Sequence, residues 1–231
     1  MSRSAYKCTD HRYKTRIISR TPLIIYIDKF LLDYEIQHLI ELTETGHQTS
    51  STVDLECQKT PVVKCIAQRF ARFQATIRVE HIEPLRLVKY TSDQKYEPYV
   101  DWFLEADLEK YGSQRVATFF TYLYANCSQG ETEFVNVRFN KFLHGKFCDI
   151  LVCNENSREL GIRFRPIAGN TIFWYNVDEQ GQGDVLTARA EQPPEKGGLK
   201  IGLNTWTHVE KFFVKKMRTL DDIHSTILCD F

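Results

Sequence analysis

Hydrophobic and polar residues alternate along residues 85–90, where Leu85 and Leu87 fall on one side and Val88 and Tyr90 on the other. This period of two is typical of a β-strand. A polar turn follows at residues 91–93, and a short extended piece then carries tyrosines, a proline and Asp101. The rest of the chain is arranged around this stretch.

Two segments before this strand have a helical pattern instead. Asp33 precedes apolar residues at helical spacing and suits the first position of a helix. Pro61, a residue favoured in a first helical turn, precedes a second amphipathic pattern that ends near Phe73. The polar residues 46–59 between them predict a loop, and a short apolar run at 23–26 predicts a strand before the first helix.

From Leu85 onward the chain consists of short apolar runs separated by turns, which predicts mainly strands. Residues 134–159 are polar and irregular, and we leave open whether they form a substrate-covering insert or an ordinary surface excursion. The strands are predicted over 115–124, over 161–174 as a pair around a turn, over 185–190 and over 200–209.

Composition limits the class of protein. The 231 residues carry 30 basic and 30 acidic side chains, interspersed along the chain, and 42% are hydrophobic. This balance predicts a globular protein that binds no nucleic acid, and no apolar run approaches the roughly 20 residues of a membrane span. Residues 1–20 are basic and predict a flexible N-terminal segment, whereas 21–231 predict one domain.

The seven cysteines are odd in number and include no Cys-x-x-Cys. Neither a disulfide framework nor a zinc ribbon fits this pattern. The sequence therefore predicts free thiols, a reducing compartment and a cytoplasmic location.

Several stretches, in the right order, resemble the iron(II)/2-oxoglutarate dioxygenases of the prolyl 4-hydroxylase type. Tyr90, Gln94, Tyr96 and Asp101 fall in register with the family's Tyr-x-x-Gly-Gln-x-Tyr-x-x-His-x-Asp. Matching stretches occur at 115–123, 130–134, 165–174 and 184–207, so the resemblance covers about 17–209. It implies an α+β, mainly β fold: a double-stranded β-helix (jelly roll, cupin-like) with N-terminal support helices.

The resemblance also implies where the family's two histidines and one carboxylate bind iron. These positions are Tyr99, Asp101 and Arg189. Neutral tyrosine is a poor iron(II) ligand, and arginine keeps its proton. We expect the guanidinium to pair with Asp101 in place of a metal; the alternative places Arg189 in solvent and Asp101 beside water or Lys95.

The other half of the family's site has matching residues. Lys200 is placed where the family's basic residue pairs with the distal carboxylate of 2-oxoglutarate, and we expect it to meet an anion. The other substrate-binding positions implied by the resemblance are Tyr90, Tyr122, Thr132, Asn204 and Trp206. Two His-x-acid pairs, beginning at His81 and His208, are expected to be surface histidines far from the pocket.

These residues predict a metal-independent enzyme with no cofactor. Tyr99, Asp101 and Arg189 are its candidate catalytic residues, and isomerisation, cyclisation or elimination of a small molecule bearing a carboxylate, carbonyl or acidic enol is the expected reaction. One alternative is a non-catalytic binding protein; another is an active 2-oxoglutarate-dependent hydroxylase with unusual metal ligation. Self-association as a homodimer stays open.

Overall fold

The computed structural model describes residues 6–44, 51–92, 96–153 and 161–211. Eleven strands and four helices lie in these ranges. In chain order they are β1 (Lys14–Arg20), β2 (Leu23–Asp28), α1 (Asp33–Glu44), β3 (Thr52–Leu55), α2 (Pro61–Phe73), β4 (Leu85–Thr91), β5 (Tyr96–Tyr99), α3 (Glu105–Tyr111), β6 (Arg115–Asn126), β7 (Thr132–Arg138), α4 (Lys141–His144), β8 (Gly161–Phe164), β9 (Thr171–Tyr175), β10 (Arg189–Glu191) and β11 (Leu199–His208).

The strands form two antiparallel sheets. The larger sheet has the order β1-β2-β9-β6-β11-β4-β3, and the smaller sheet has the order β5-β10-β7-β8. Strands that are distant in sequence are neighbours in both sheets, as in a jelly roll. The expected double-stranded β-helix with N-terminal helices is confirmed.

Alternation along β6 divides the interior into two cores. In one core Phe119 contacts Phe70 of α2 and Phe30, which precedes α1, whereas Phe120 belongs to the core between the two sheets. Successive side chains of a strand point to opposite faces, so one strand supplies both cores. The larger sheet is therefore backed by α1 and α2 on one face and faces the smaller sheet on the other.

The second helix begins where the sequence predicts. Thr60 caps α2, because its hydroxyl oxygen accepts a hydrogen bond from the Val63 amide at 3.2 Å, and Pro61 occupies the first turn. Its buried face includes Ile66 and Phe70. The pattern beginning at Asp33 is likewise confirmed as α1.

A buried ion pair joins the two helices. Arg69 donates to both carboxylate oxygens of Glu35, at 2.6 and 2.7 Å, and also to the carbonyl of Phe30 at 3.1 Å. The Leu32 amide donates to the same carboxylate at 2.9 Å. Both charged side chains are excluded from solvent, so neither has water as an alternative partner.

Two disulfides correct the expectation of free thiols. Cys8 is bonded to Cys65, which ties the N-terminal segment to α2, and Cys148 is bonded to Cys153. The pairs were not evident from the sequence because their cysteines carry no characteristic spacing. Among the described cysteines, Cys127 is free.

Some local expectations were also wrong. The N-terminal segment expected to be flexible contains β1, which pairs with β2, and the loop expected over 46–59 contains β3. Residues 134–159 are less irregular than expected, since β7 continues to Arg138 and α4 follows; 154–159 lie outside the described residues, as do Gln94 and Lys95. No helix in the described ranges has the length and apolar character needed to cross a membrane.

Candidate functional site

Strand register brings the candidate residues together between the two sheets. On β10, Arg189 lies opposite Tyr99 of β5, and Glu191 lies opposite Thr132 of β7. On β11, Lys200 lies opposite Tyr90 of β4. Because residues two apart on a strand share a face, Arg189 and Glu191 both point into the interior.

The expected pair between Arg189 and Asp101 is present. The Arg189 Nε donates to Asp101 Oδ2 at 2.9 Å and its Nη2 donates to Oδ1 at 3.2 Å, which is a bidentate contact. The same Nη2 donates to Asn204 Oδ1 at 2.8 Å. Three aromatic rings surround the guanidinium, with centroids 4.7 Å (Tyr99), 5.3 Å (Phe120) and 5.2 Å (Trp174) from its central carbon.

Glu191 is the charged residue of this cluster that sequence reasoning missed. Its Oε1 accepts a hydrogen bond from Arg189 Nη1 at 2.5 Å, and its Oε2 accepts from Lys200 Nζ at 2.7 Å and from the Thr132 hydroxyl at 2.9 Å. Its position two residues after Arg189 on one strand was the available signal. The anion expected to pair with Lys200 is therefore the carboxylate of Glu191.

The remaining predicted residues divide into two groups. Tyr122 donates to Thr132 at 2.8 Å, and the Tyr90 ring lies 4.5 Å from Lys200 Nζ, so both border the charged residues. Trp206 lies elsewhere: its ring packs against Arg115 at 3.8 Å and Arg86 at 5.2 Å. We define the charge network as Asp101, Arg189, Glu191 and Lys200.

The charge network is balanced and buried. It contains two cations and two carboxylates, each with a side chain at most 2% exposed. Burial alone would lower the pKa of Arg189, but the negative charges of Asp101 and Glu191 raise it well above its ordinary value. Burial, followed by the charge of Glu191, raises the pKa of Tyr122 well above its ordinary value, so this phenol stays a proton donor.

A second charged cluster lies at the end of β11 and corrects another expectation. His208 is fully buried rather than on the surface: its Nε2 contacts Glu83 Oε1 at 2.7 Å and its Nδ1 contacts the Ser113 carbonyl at 3.1 Å. Arg115 donates to both oxygens of Glu83, at 2.5 and 2.8 Å. This cluster fastens β6, β11 and the segment before β4.

This cluster predicts a loss of stability in acid. Burial alone would raise the pKa of Glu83, but hydrogen bonds from Arg115 and His208 lower it to about 2. The pKa of Glu83 is lower in the folded protein than its unfolded value of 4.5, so the ionised carboxylate stabilises the fold above pH 4.5. This contribution, roughly 3 kcal/mol, is lost as the pH falls toward 2. Urea unfolding from pH 7 to 2 should therefore show a smaller pH dependence for Glu83→Gln than for the parent. Equal pH dependence in the two proteins would contradict this assignment.

The three positions that resemble the iron site do not fit a metal ion as they are arranged here. The guanidinium of Arg189 covers both oxygens of Asp101, and a divalent cation placed there would be repelled by it. Within the described ranges, no group of three or more His, Cys, Asp and Glu side chains is arranged to hold a metal. Asp101 becomes available to a metal only after Arg189 has moved.

Comparison with known proteins identifies relatives along most of the chain. No family model matches the sequence. The chain is 28% identical over 216 residues to "Prolyl 4-hydroxylase 5" of Arabidopsis thaliana, covering 86% of this chain and 72% of that protein. It is 27% identical over 232 residues to "Probable prolyl 4-hydroxylase 6" of the same plant, covering 91% and 78%.

Solved structures share the fold. The viral collagen prolyl hydroxylase of Paramecium Bursaria Chlorella virus-1 aligns with a TM-score of 0.61 at 21% identity, covering 80% of this chain and 89% of that chain. The same protein in complex with 2-oxoglutarate aligns with a TM-score of 0.60 at 23% identity, covering 80% and 95%.

These findings correct the expected function. The prediction of a metal-independent isomerase, cyclase or lyase was wrong, because the relatives are prolyl 4-hydroxylases. The prediction that no cofactor is needed was wrong for the same reason: the relatives, one of them solved with 2-oxoglutarate, point to iron(II) and 2-oxoglutarate. The roles assigned to the individual site residues stay predictions. The chain is similar to prolyl 4-hydroxylases over 86% and 91% of its length, and it shares the fold of a viral collagen prolyl hydroxylase.

Proposed function

We propose that this chain is a hydroxylase of the 2-oxoglutarate class that acts on a proline-containing polypeptide. The observation that carries the proposal is the similarity to prolyl 4-hydroxylase 5, which extends over 86% of the chain. The shared fold with a collagen prolyl hydroxylase supports it. Fold alone does not determine function, so the proposal rests on the sequence relatives.

The reaction of this class is balanced by its co-substrate. One oxygen atom of O₂ enters a C–H bond of proline and forms the hydroxyl group. The other enters 2-oxoglutarate, which loses carbon dioxide and becomes succinate. Succinate and hydroxyproline should therefore appear in equal amounts.

The surface beside Asp101 suits a polypeptide. The segment that follows Asp101 exposes Leu104 by 61% and Leu108 by 37%, and α3 has no buried residue. Apolar side chains on the rim of a site gain from being covered by a bound chain. We therefore place the polypeptide against α3.

In the described arrangement the interior is closed by its own side chains. Arg189 covers Asp101, and Glu191 holds Lys200. Hydroxylation therefore requires a second arrangement, in which the side chains of Arg189 and Glu191 have moved aside.

The proposal predicts hydroxylation of a proline peptide. The purified protein, supplied with iron(II), 2-oxoglutarate, ascorbate and a proline-rich peptide, should add one oxygen atom per modified proline and release equimolar succinate. Replacing Leu104 by serine should lower kcat/KM about tenfold, because burial of a leucine side chain contributes about 1.5–3 kcal/mol.

Ile17→Ser is the matched control, since Ile17 is a comparably exposed apolar residue on β1, in the larger sheet. This variant should retain the parent activity. Absence of both succinate and oxidised peptide, across peptides that bind the protein, would overturn the proposal.

A further inference from the structure

The groups around Lys200 bind the Glu191 carboxylate, and we call them the Lys200 pocket. The Lys200 ammonium donates to Glu191 at 2.7 Å and to the Gly130 carbonyl at 2.7 Å, and it is fully buried. Gly130 has a φ of +105°, a conformation that side chains disfavour. A single buried carboxylate thus neutralises this ammonium.

Three donors converge on that carboxylate. Lys200 and the Thr132 hydroxyl donate to one oxygen of Glu191, and Arg189 donates to the other. Tyr122 donates to Thr132 and fixes the orientation of its hydroxyl group, which leaves the Thr132 proton directed at Glu191. An ammonium, a hydroxyl and a guanidinium in this arrangement would serve any carboxylate of similar size.

We propose that Glu191 is an internal occupant of this pocket and competes there with the carboxylate of a small dicarboxylate ligand. The inference rests on the proposed function, which supplies 2-oxoglutarate as the ligand to be tested. Both carboxylates need the same ammonium and hydroxyl, and the pocket has one of each. Binding of the ligand therefore requires Glu191 to leave.

The strength of this competition follows from the effective concentration of the Glu191 carboxylate. A group attached to the same chain acts at an effective concentration of about millimolar or higher. An external carboxylate with similar contacts must exceed that concentration to displace Glu191. Removing the internal carboxylate also leaves two cations facing Asp101 alone, so the pocket gains a net positive charge. Both effects favour an external anion in the variant.

Calorimetric titration of 2-oxoglutarate tests the inference without any turnover. Glu191→Ala should bind it at least about tenfold more tightly than the parent, and Glu191→Gln should fall between them, because a neutral amide is a weaker competitor. Glutarate, which lacks the keto group, should show the same order. Adding Lys200→Ala to Glu191→Ala should abolish the gain.

Glu133→Ala is the matched control. Glu133 is a buried glutamate on β7 that accepts from Gln192 and from the Gly161 amide, so its loss should leave the affinity at the parent value. Equal affinity of the parent and Glu191→Ala for 2-oxoglutarate would overturn the inference. If the alanine variant does not fold, the same conclusion follows from equal affinity of the parent and Glu191→Gln. Tighter binding without peptide hydroxylation would leave the inference intact and count against the proposed function alone.

Discussion

Replacement of Arg189 by alanine should lower the free energy of unfolding by about 3–5 kcal/mol, the range for one member removed from a buried ion pair. The guanidinium is the shared partner of Asp101 and Glu191, and none of the three side chains reaches solvent. Its removal leaves Asp101 buried without its cation. Urea unfolding of the parent and the variant measures the loss.

A surface pair provides the comparison. Arg86 makes a similar bidentate contact with Asp54, at 2.7 and 3.0 Å, but both side chains are exposed by more than a third. Arg86→Ala should therefore cost no more than about 1 kcal/mol. Combining Arg189→Ala with Asp101→Asn should recover part of the loss, because the unpaired charge is gone. A cost within ~0.5 kcal/mol for Arg189→Ala, as at ordinary surface positions, would contradict the described contacts.

Removal of Arg69 should be about as damaging, at roughly 3–5 kcal/mol. Arg69 is the bidentate partner of Glu35 and links α2 to α1 and to the Phe30 carbonyl. Arg69→Ala leaves the Glu35 carboxylate with only the Leu32 amide among these contacts. Thermal or urea unfolding gives the measurement.

Arg72 is the matched control on the same helix. It pairs with Asp10 at 2.8 Å, but the two side chains are 50% and 75% exposed, so Arg72→Ala should cost no more than about 1 kcal/mol. Replacing both Arg69 and Glu35 by apolar residues of similar volume should cost less than Arg69→Ala alone. Equal costs for Arg69→Ala and Arg72→Ala would show that burial of the first pair adds nothing.

Local patterns in the sequence predict much of this fold. Pro61 and the apolar spacing after it determine the second helix, and the alternation at residues 85–90 determines β4. The pair between Arg189 and Asp101 was predictable as well, because a buried carboxylate needs a cation and arginine is the matching residue. These features depend on residues close in sequence or on simple charge pairing.

Other features depend on contacts that the sequence does not reveal. The role of Glu191 follows from the register of β10 against β7, which places it beside Thr132 and in reach of Lys200. The Cys8–Cys65 bond joins residues 57 positions apart that share no motif. His208 was expected on the surface for the same reason, since its partner Glu83 lies 125 residues away in the sequence.

The expected reaction was wrong for a different reason. Unfamiliar residues at the positions resembling metal ligands were interpreted as new chemistry, whereas the relatives that match 86% and 91% of the chain are prolyl 4-hydroxylases. The charge network accounts for the same residues as buried partners of one another. A polar cluster in an apolar interior is satisfied when every charge is paired, and it need not be catalytic.

At Lys200, the carboxylate of a bound ligand should replace that of Glu191. A crystal structure of the parent protein grown with saturating 2-oxoglutarate tests it most directly. We expect Lys200 Nζ and the Thr132 hydroxyl to bind a carboxylate of 2-oxoglutarate and the Glu191 side chain to have left them. Bound 2-oxoglutarate elsewhere on the protein, with the contact between Lys200 and Glu191 intact, would contradict it.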